Sequence, residues 1–346
     1  MYAWIARVAS VGGVAAVFAS SVLGQGASTQ WSQNPVADWF GGNPRFAVDL
    51  SDRGTLPSTT GKPIGLGAVG FDFHHVVSSA TRDIGTVTAQ GYLLRFDNAY
   101  MRPGFVEGQE DWDWTWRILT FNYTGLTSGW LNVKAGHIEL PYGLEWTFDS
   151  NGTLRDYQLA PNLGLKADWG VGVNGVLPEV EYEVTVTRGW GMESRDIGVS
   201  YAVCGRVGTP GHRQFVVGLS GFHGEVISPG PLVERTRVGV DVQQQLGAWT
   251  VLGELSVGDD NDDSRTQLLA ELNWVNNDES VLVYLQDVNR WRKTAGSTES
   301  FNRLGLGIQY RPDSHWDVSA EMRQDLDVFP GAERVFTMLA QVRYRF

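Results

Sequence analysis

Four carboxylates, Glu139, Glu145, Asp149 and Asp156, stand with one guanidinium, Arg155, in the stretch ELPYGLEWTFDSNGTLRDYQLAPN, residues 139–162. In a loop, such a cluster acts as fixed charge on passing ions. A second acidic run, GDDNDDS (258–264), has the composition to bind Ca²⁺ or to bridge lipopolysaccharide through divalent ions. It lacks the Gly and the distal Glu of an EF-hand loop, and a solvated acidic loop is expected. His74 and His75 are adjacent, so on a strand they point to opposite faces and cannot chelate one ion. His137, His212, His223 and His315 have no metal-ligand spacing. Cys204 is the sole cysteine, which excludes an internal disulfide, a cysteine-based metal site and a C-x-x-C-H haem attachment. No G-x-S-x-G elbow and no Gly-rich phosphate loop is present. The expectation is a protein that is not an enzyme and carries no cofactor and no metal.

The elements that position these charges have a period of two. In RLGLGIQYR, Leu304, Leu306, Ile308 and Tyr310 share one face, and Arg303, Gln309 and Arg311 the other. WDVSAEMRQ and TRVGVDVQQQ repeat the pattern, with Trp316, Val318, Ala320 and Met322 on one apolar face and Val238, Val240 and Val242 on another. The chain ends on MLAQVRYRF, where Phe346, Tyr344, Val342, Ala340 and Met338 fall on one side. Strands of a soluble sandwich typically run five or six residues. These runs last about nine to thirteen residues, the length a tilted strand needs to cross a bilayer. Aromatic residues gather at the run ends, at Trp249, Trp274, Tyr310, Trp316, Phe336, Tyr344 and Phe346, as in interfacial girdles.

Sixteen such runs are expected: 44–52, 65–79, 84–98, 112–124, 130–138, 163–174, 180–189, 196–205, 213–223, 235–245, 248–257, 265–275, 279–289, 302–311, 315–324 and 334–346. The number is even, as a single-chain bacterial barrel requires. Connections at 53–64, 99–111, 139–162, 224–234, 290–301 and 325–333 are long, and those between them are short. A periplasmic N-terminus places the long set outside. The first residues contain Arg7 and then VASVGGVAAVFASSVLG, which reads as a signal peptide cleaved near Gly24. The expected organisation is therefore signal peptide 1–24, a short periplasmic segment 25–43, and a transmembrane antiparallel β-barrel over 44–346 in the outer membrane. A formal net charge of −12 argues against nucleic acid as a partner.

The aromatic ending resembles the C-terminal signature of Gram-negative outer-membrane proteins. VKAGHIELPYGLEW (133–146) and SRDIGVSYA (194–202) resemble recurrent pieces of the phosphate-selective porin family. That resemblance implies a sixteen-stranded porin, assembled as a homotrimer, whose third long loop, here 139–162, folds into the barrel and sets the constriction. It implies a Lys-rich and Arg-rich pathway as well, yet this chain has four lysines, Lys62, Lys134, Lys166 and Lys293. The resemblance thus supports the architecture better than the phosphate substrate.

Parity assigns the lumen face. It carries Arg117, Lys134, Arg235, Arg237, Arg303, Arg311, Arg323, Arg343 and Arg345, opposed by Glu181, Glu183, Asp241, Glu254, Glu271, Asp317 and Glu321. One expectation is a transverse field with Arg on one wall and carboxylates on another; the plainer one is local pairing that solvates the lumen. If loop 139–162 presents its carboxylates to the narrowest passage, a modest cation preference follows. Gly239 and Gly305, facing inward, are expected to accept larger side chains. The function these features favour is passive diffusion of small hydrophilic solutes or ions, with outer-membrane lipid and lipopolysaccharide as surroundings. Two rivals stay open: a barrel that sheathes a periplasmic partner such as a multihaem cytochrome, and an outer-membrane enzyme.

Overall fold

The computed structural model of the chain describes residues 45–79, 81–97, 112–127, 129–145, 152–192, 200–227, 232–294 and 296–346. The expected signal peptide and the 25–43 segment lie outside the described residues. From Arg45 onward the chain forms sixteen antiparallel strands closed into one barrel. The first eight are β1 (Arg45–Pro57), β2 (Ile64–Ser78), β3 (Asp83–Phe96), β4 (Trp112–Tyr123), β5 (Asn132–Glu139), β6 (Ala167–Val176), β7 (Glu181–Thr187) and β8 (Ala202–Gly208). The second eight are β9 (Phe215–Ile227), β10 (Leu232–Leu246), β11 (Trp249–Asp260), β12 (Asp263–Val275), β13 (Val281–Thr294), β14 (Ser297–Tyr310), β15 (Trp316–Asp327) and β16 (Phe336–Arg345). One short helix, α1 (Leu159–Leu163), lies in the connection from β5 to β6.

The alternation runs inside out relative to a soluble protein. Along β10, Val238, Val240 and Val242 are 58%, 41% and 37% exposed, whereas Arg237 and Asp241 are 2% and 1% exposed. Leu304, Leu306 and Ile308 of β14 and Val318 and Met322 of β15 are likewise exposed. An apolar exterior around a polar interior is stable only with lipid outside and water or polar contacts inside. Closing the sheet leaves no strand edge in hydrocarbon. The chain is thus a multi-pass outer-membrane β-barrel. Trp316 packs on Tyr344 at 4.7 Å between ring centroids and Tyr344 on Phe346 at 5.6 Å, forming part of the girdle at the end that carries the short turns.

The last residue extends the closing seam, in which Asp49 to Pro57 of β1 pair with Arg345 to Thr337 of β16. The Val48 N–H donates to the Phe346 carbonyl at 2.7 Å, and the Phe346 N–H donates to the Val48 carbonyl at 3.1 Å. Beside them, buried Asp49 accepts from Arg343 Nε at 2.9 Å and from the Tyr92 hydroxyl at 3.2 Å, tying β16, β1 and β3 together. Deleting Phe346 removes both closing hydrogen bonds and a girdle ring. We expect the variant to accumulate unfolded in the periplasm, measured as loss of the heat-modifiable band in outer-membrane fractions.

Strand boundaries differ from the sequence expectation mainly at the far end. The connections expected at 224–234 and 290–301 shrink to 228–231 and 295–296, and that at 53–64 to 58–63. The acidic run 258–264 is a tight hairpin turning at 261–262, with Asp259, Asn261, Asp262 and Ser264 exposed as expected and Asn261 at φ 51°. Its Asp260 is bound by Arg235, Arg237 and Arg265. Beyond the apolar belt both faces of a strand are wetted, so backbone pairing continues after the period-two signal ends. Of the run expected at 196–205, residues 196–199 lie outside the described residues and pairing spans 202–208, while 163–174 becomes α1 followed by 167–176.

Candidate pore constriction

The described parts of the connection from β5 to β6, residues 140–145 and 152–166, fold into the barrel. Leu140, Tyr142, Leu159, Leu163 and Leu165 cluster with Ala202, Cys204, Phe222 and Val226 from the inner face of β8 and β9. This is the only apolar cluster of its size among the described residues, and it is made by the loop. Tyr142 seats its hydroxyl 2.6 Å from Ser256 Oγ, the Gly143 N–H donates to Ser220 Oγ at 3.0 Å, and the Leu144 N–H donates to Glu254 at 3.0 Å. Gly143 has φ 61°, and a Cβ there would lie 1.8 Å from Glu254 Oε2, so only glycine fits.

The far limb is latched along the opposite strands. Gln309 Nε2 donates to the Gly152 carbonyl at 2.9 Å, Arg53 to the Thr153 carbonyl at 3.0 Å, and Arg323 to the Leu154 carbonyl. The Asp156 N–H donates to Gln286 at 2.8 Å, and Arg290 donates to the Gln158 side chain at 2.6 Å. Arg237 Nε and Asn162 meet at 3.0 Å. The loop therefore covers the inner wall from β8 through β15 to β1.

Its described carboxylates are taken up by protein groups. Glu145 is 4% exposed and accepts from the backbone N–H groups of Gln158 and Leu159, clasping the two limbs together. Burial, only partly offset by Lys166, pushes its carboxyl up to about 8. Asp156 lies 3.1 Å from Arg303; burial alone would raise it, but Arg323, Arg303 and Arg290 hold it below the ordinary carboxylate range. Glu139, at the end of β5, is shared by Arg117 at 3.3 Å and Lys166 at 3.5 Å. Arg155 reaches Glu271 at 3.4 Å and lies over the Tyr284 ring at 5.3 Å. Asp149 lies outside the described residues. Glu145 and Asp156, expected to face the passage, instead take their partners from protein groups, Glu145 from the loop's own backbone and Asp156 from Arg303 of the wall.

The lumen charges expected from parity do face inward, but as neighbours in pairs and not as opposed walls. Lys134 meets Glu183 at 2.6 Å, Arg323 meets Glu321 at 2.9 Å, and Arg303 meets Asp325 at 2.6 Å. Asp241 pairs with Arg206 at 2.7 Å. Arg237 binds Asp260 at 2.5 Å, and Glu271 accepts from Gln286 at 2.9 Å. Arg343 holds Asp49, and Glu254 is taken by the loop's Leu144. The lumen charges expected from parity leave out Arg206, Arg290 and Asp49, and give the amides Gln286, Gln309 and Gln341 no role. The amides were readable, since each occupies the inward parity of its strand. Gly239 is also corrected: a Cβ there would lie 2.6 Å from the Tyr142 hydroxyl, so the position seats the loop. At Gly305 a Cβ would meet Glu321 at 2.8 Å.

The clasp gives a pH prediction. With its folded value near 8, above the ordinary 4.5, Glu145 keeps a proton that the unfolded chain releases. The stability it contributes is complete below the ordinary value and is lost as pH rises through about 8. Loop docking is expected to weaken over that window, seen as rising open-channel noise. Glu145→Gln, which mimics the neutral carboxyl, is expected to flatten the pH dependence; an unchanged profile would refute the clasp.

No protein-family model matches the sequence, and no curated protein matches it. Solved structures do. The in-vitro folded, trimeric OmpT, an outer membrane protein of Vibrio cholerae, is 12% identical with a TM-score of 0.61, covering 88% of this chain and 99% of that one. An anion-selective porin from Comamonas acidovorans is 9% identical with a TM-score of 0.63, covering 88% and 99%. OprB of Pseudomonas putida is 9% identical with a TM-score of 0.67, covering 90% and 96%. At these identities the likeness is one of fold, and the fold is that of outer-membrane porins.

Proposed function

We propose that this barrel is a porin for the passive diffusion of small hydrophilic solutes or ions across the outer membrane, not an enzyme, and that it assembles as a homotrimer. The observation that carries the reading is a long loop folded into a polar lumen and latched along the wall from β8 to β1, which narrows a barrel of this size instead of leaving it wide. The same loop argues against a sheath, because it occupies space that an enclosed cytochrome would need. The trimeric form of the Vibrio cholerae protein supports the assembly. Phosphate specificity has little support from four lysines.

Ion preference follows from which charges remain presented to the passage. Glu145 is clasped within the loop and Asp156 is held by Arg303, which withdraws loop negative charge from the passage. At the periplasmic mouth Arg311 and Asp313 keep 54% and 55% of their side chains exposed and offset each other. Arg345 adds a second exposed guanidinium there, and a weak anion preference is expected in place of the cation preference that loop composition suggests. Reconstitution in planar bilayers tests both points: a stable single-channel conductance, and a zero-current potential of anionic sign in a KCl gradient. Silent membranes with correctly folded protein would overturn the channel reading, and a cationic potential would overturn the charge assignment.

A further inference from the structure

We infer that the lumen holds a binding subsite for small oxyanions beneath the constriction loop, at the periplasmic end, centred on Arg311 and Arg345; this rests on the channel reading above. A cavity of about 420 Å³ opens there, roofed by Thr153 and Arg155 of the loop and floored by Gln309, Arg311, Arg343 and Arg345. That volume is within the range of small-ligand sites.

Each arginine of the floor has a carboxylate, but the carboxylates stand behind the guanidinium groups. Asp317 pairs with Arg311 at 3.4 Å with 12% of its side chain exposed, against 54% for the arginine. Asp72 pairs with Arg345 at 3.0 Å, again the less exposed partner at 26% against 36%. Asp49, behind Arg343, is 1% exposed. Asp313 also lines the cavity with 55% of its side chain exposed, and its Oδ1 accepts from the backbone N–H groups of His315 and Trp316 at 2.7 and 3.0 Å. The layer is nearly neutral in sum, but of the groups a solute meets, the guanidinium groups of Arg311 and Arg345 outnumber the single exposed carboxylate of Asp313.

Donors remain for a ligand. A guanidinium offers five N–H groups in a planar fork. Arg311 gives Asp317 its Nε, and Arg345 gives Asp72 one Nη2. Arg345 Nε is buried with no hydrogen-bond partner among the described residues. A carboxylate or a phosphate satisfies such donors by charge-assisted bidentate contacts, and a neutral polar solute does so more weakly. Both anions share this chemistry. The site lies on one side of the loop, so an anion reaches it from the periplasmic side without passing the constriction.

The test uses the full-length barrel in oriented planar bilayers, with succinate, benzoate or inorganic phosphate added to one side at a time. The expected result is concentration-dependent block that is stronger from the periplasmic side. Arg311→Gln and Arg345→Gln are each expected to weaken it about tenfold, the loss of one charge-assisted contact. Basal KCl conductance, measured alongside, reports separately on the channel reading. Stronger block by succinate assigns a carboxylate source and stronger block by phosphate assigns a phosphate source. Isothermal titration of the same anions into detergent-solubilised barrel decides the site even where conduction fails. Block equal from both sides, or binding unchanged in both variants, would overturn the subsite.

Discussion

Arginine in place of Val240 or Leu306 is expected to destabilise the inserted barrel by about 2–4 kcal/mol. Both side chains lie on the outer face, 41% and 47% exposed, and both are flanked across the ladder by apolar partners: Leu219 and Leu255 beside Val240, Leu285 and Met322 beside Leu306. A guanidinium there has no polar group in reach and must thin the bilayer or climb to its surface. Gly221 provides the control. It faces outward on β9 with nothing within 4 Å of a built Cβ, so Gly221→Val is expected to be neutral or mildly stabilising. Urea unfolding from liposomes measures all three variants. Equal damage from valine and arginine would mean that these faces are packed against protein and not lipid.

The contrast shows what the sequence made readable. Lipid outside and water inside impose alternation on every strand, and each of the sixteen runs found by that rule is a strand. The rule is silent where both faces are wet, so the upper ends of β9, β11, β13 and β14 extend beyond the runs it marks. Parity groups charges on one face of a strand but does not name their partners. Arg206 fell just beyond an expected strand end, and Arg290 fell in an expected loop, although they hold Asp241 and Gln158. Loop 139–162 was placed inside the barrel by resemblance alone. The direction of its carboxylates depends on contacts such as Arg303 to Asp156, which lie 147 residues apart, and no local pattern encodes them.

Asp156→Ala tests that long-range arrangement. The carboxylate sits among Arg303, Arg323 and Arg290, and the backbone N–H of the same residue is held by Gln286. Removing the side chain leaves three cations facing one another across the loop. Arg303 keeps Asp325 and Arg323 keeps Glu321, so the full 3–5 kcal/mol penalty of an orphaned buried charge does not apply. A loss of about 1.5–3 kcal/mol, that of hydrogen bonds to a charged group, is expected to fall on loop docking and not on the strands. The loop limb over 152–158 should then detach more often, giving larger and noisier conductance, while urea unfolding of the barrel changes little. Selectivity should move further towards anions, because the variant uncovers positive charge at the constriction. Asp156→Asn keeps the shape and should share the selectivity shift with less added noise. A move towards cations in either variant would show that Asp156 does not neutralise this arginine cluster, and the assignment of the loop charges to the wall would fail with it.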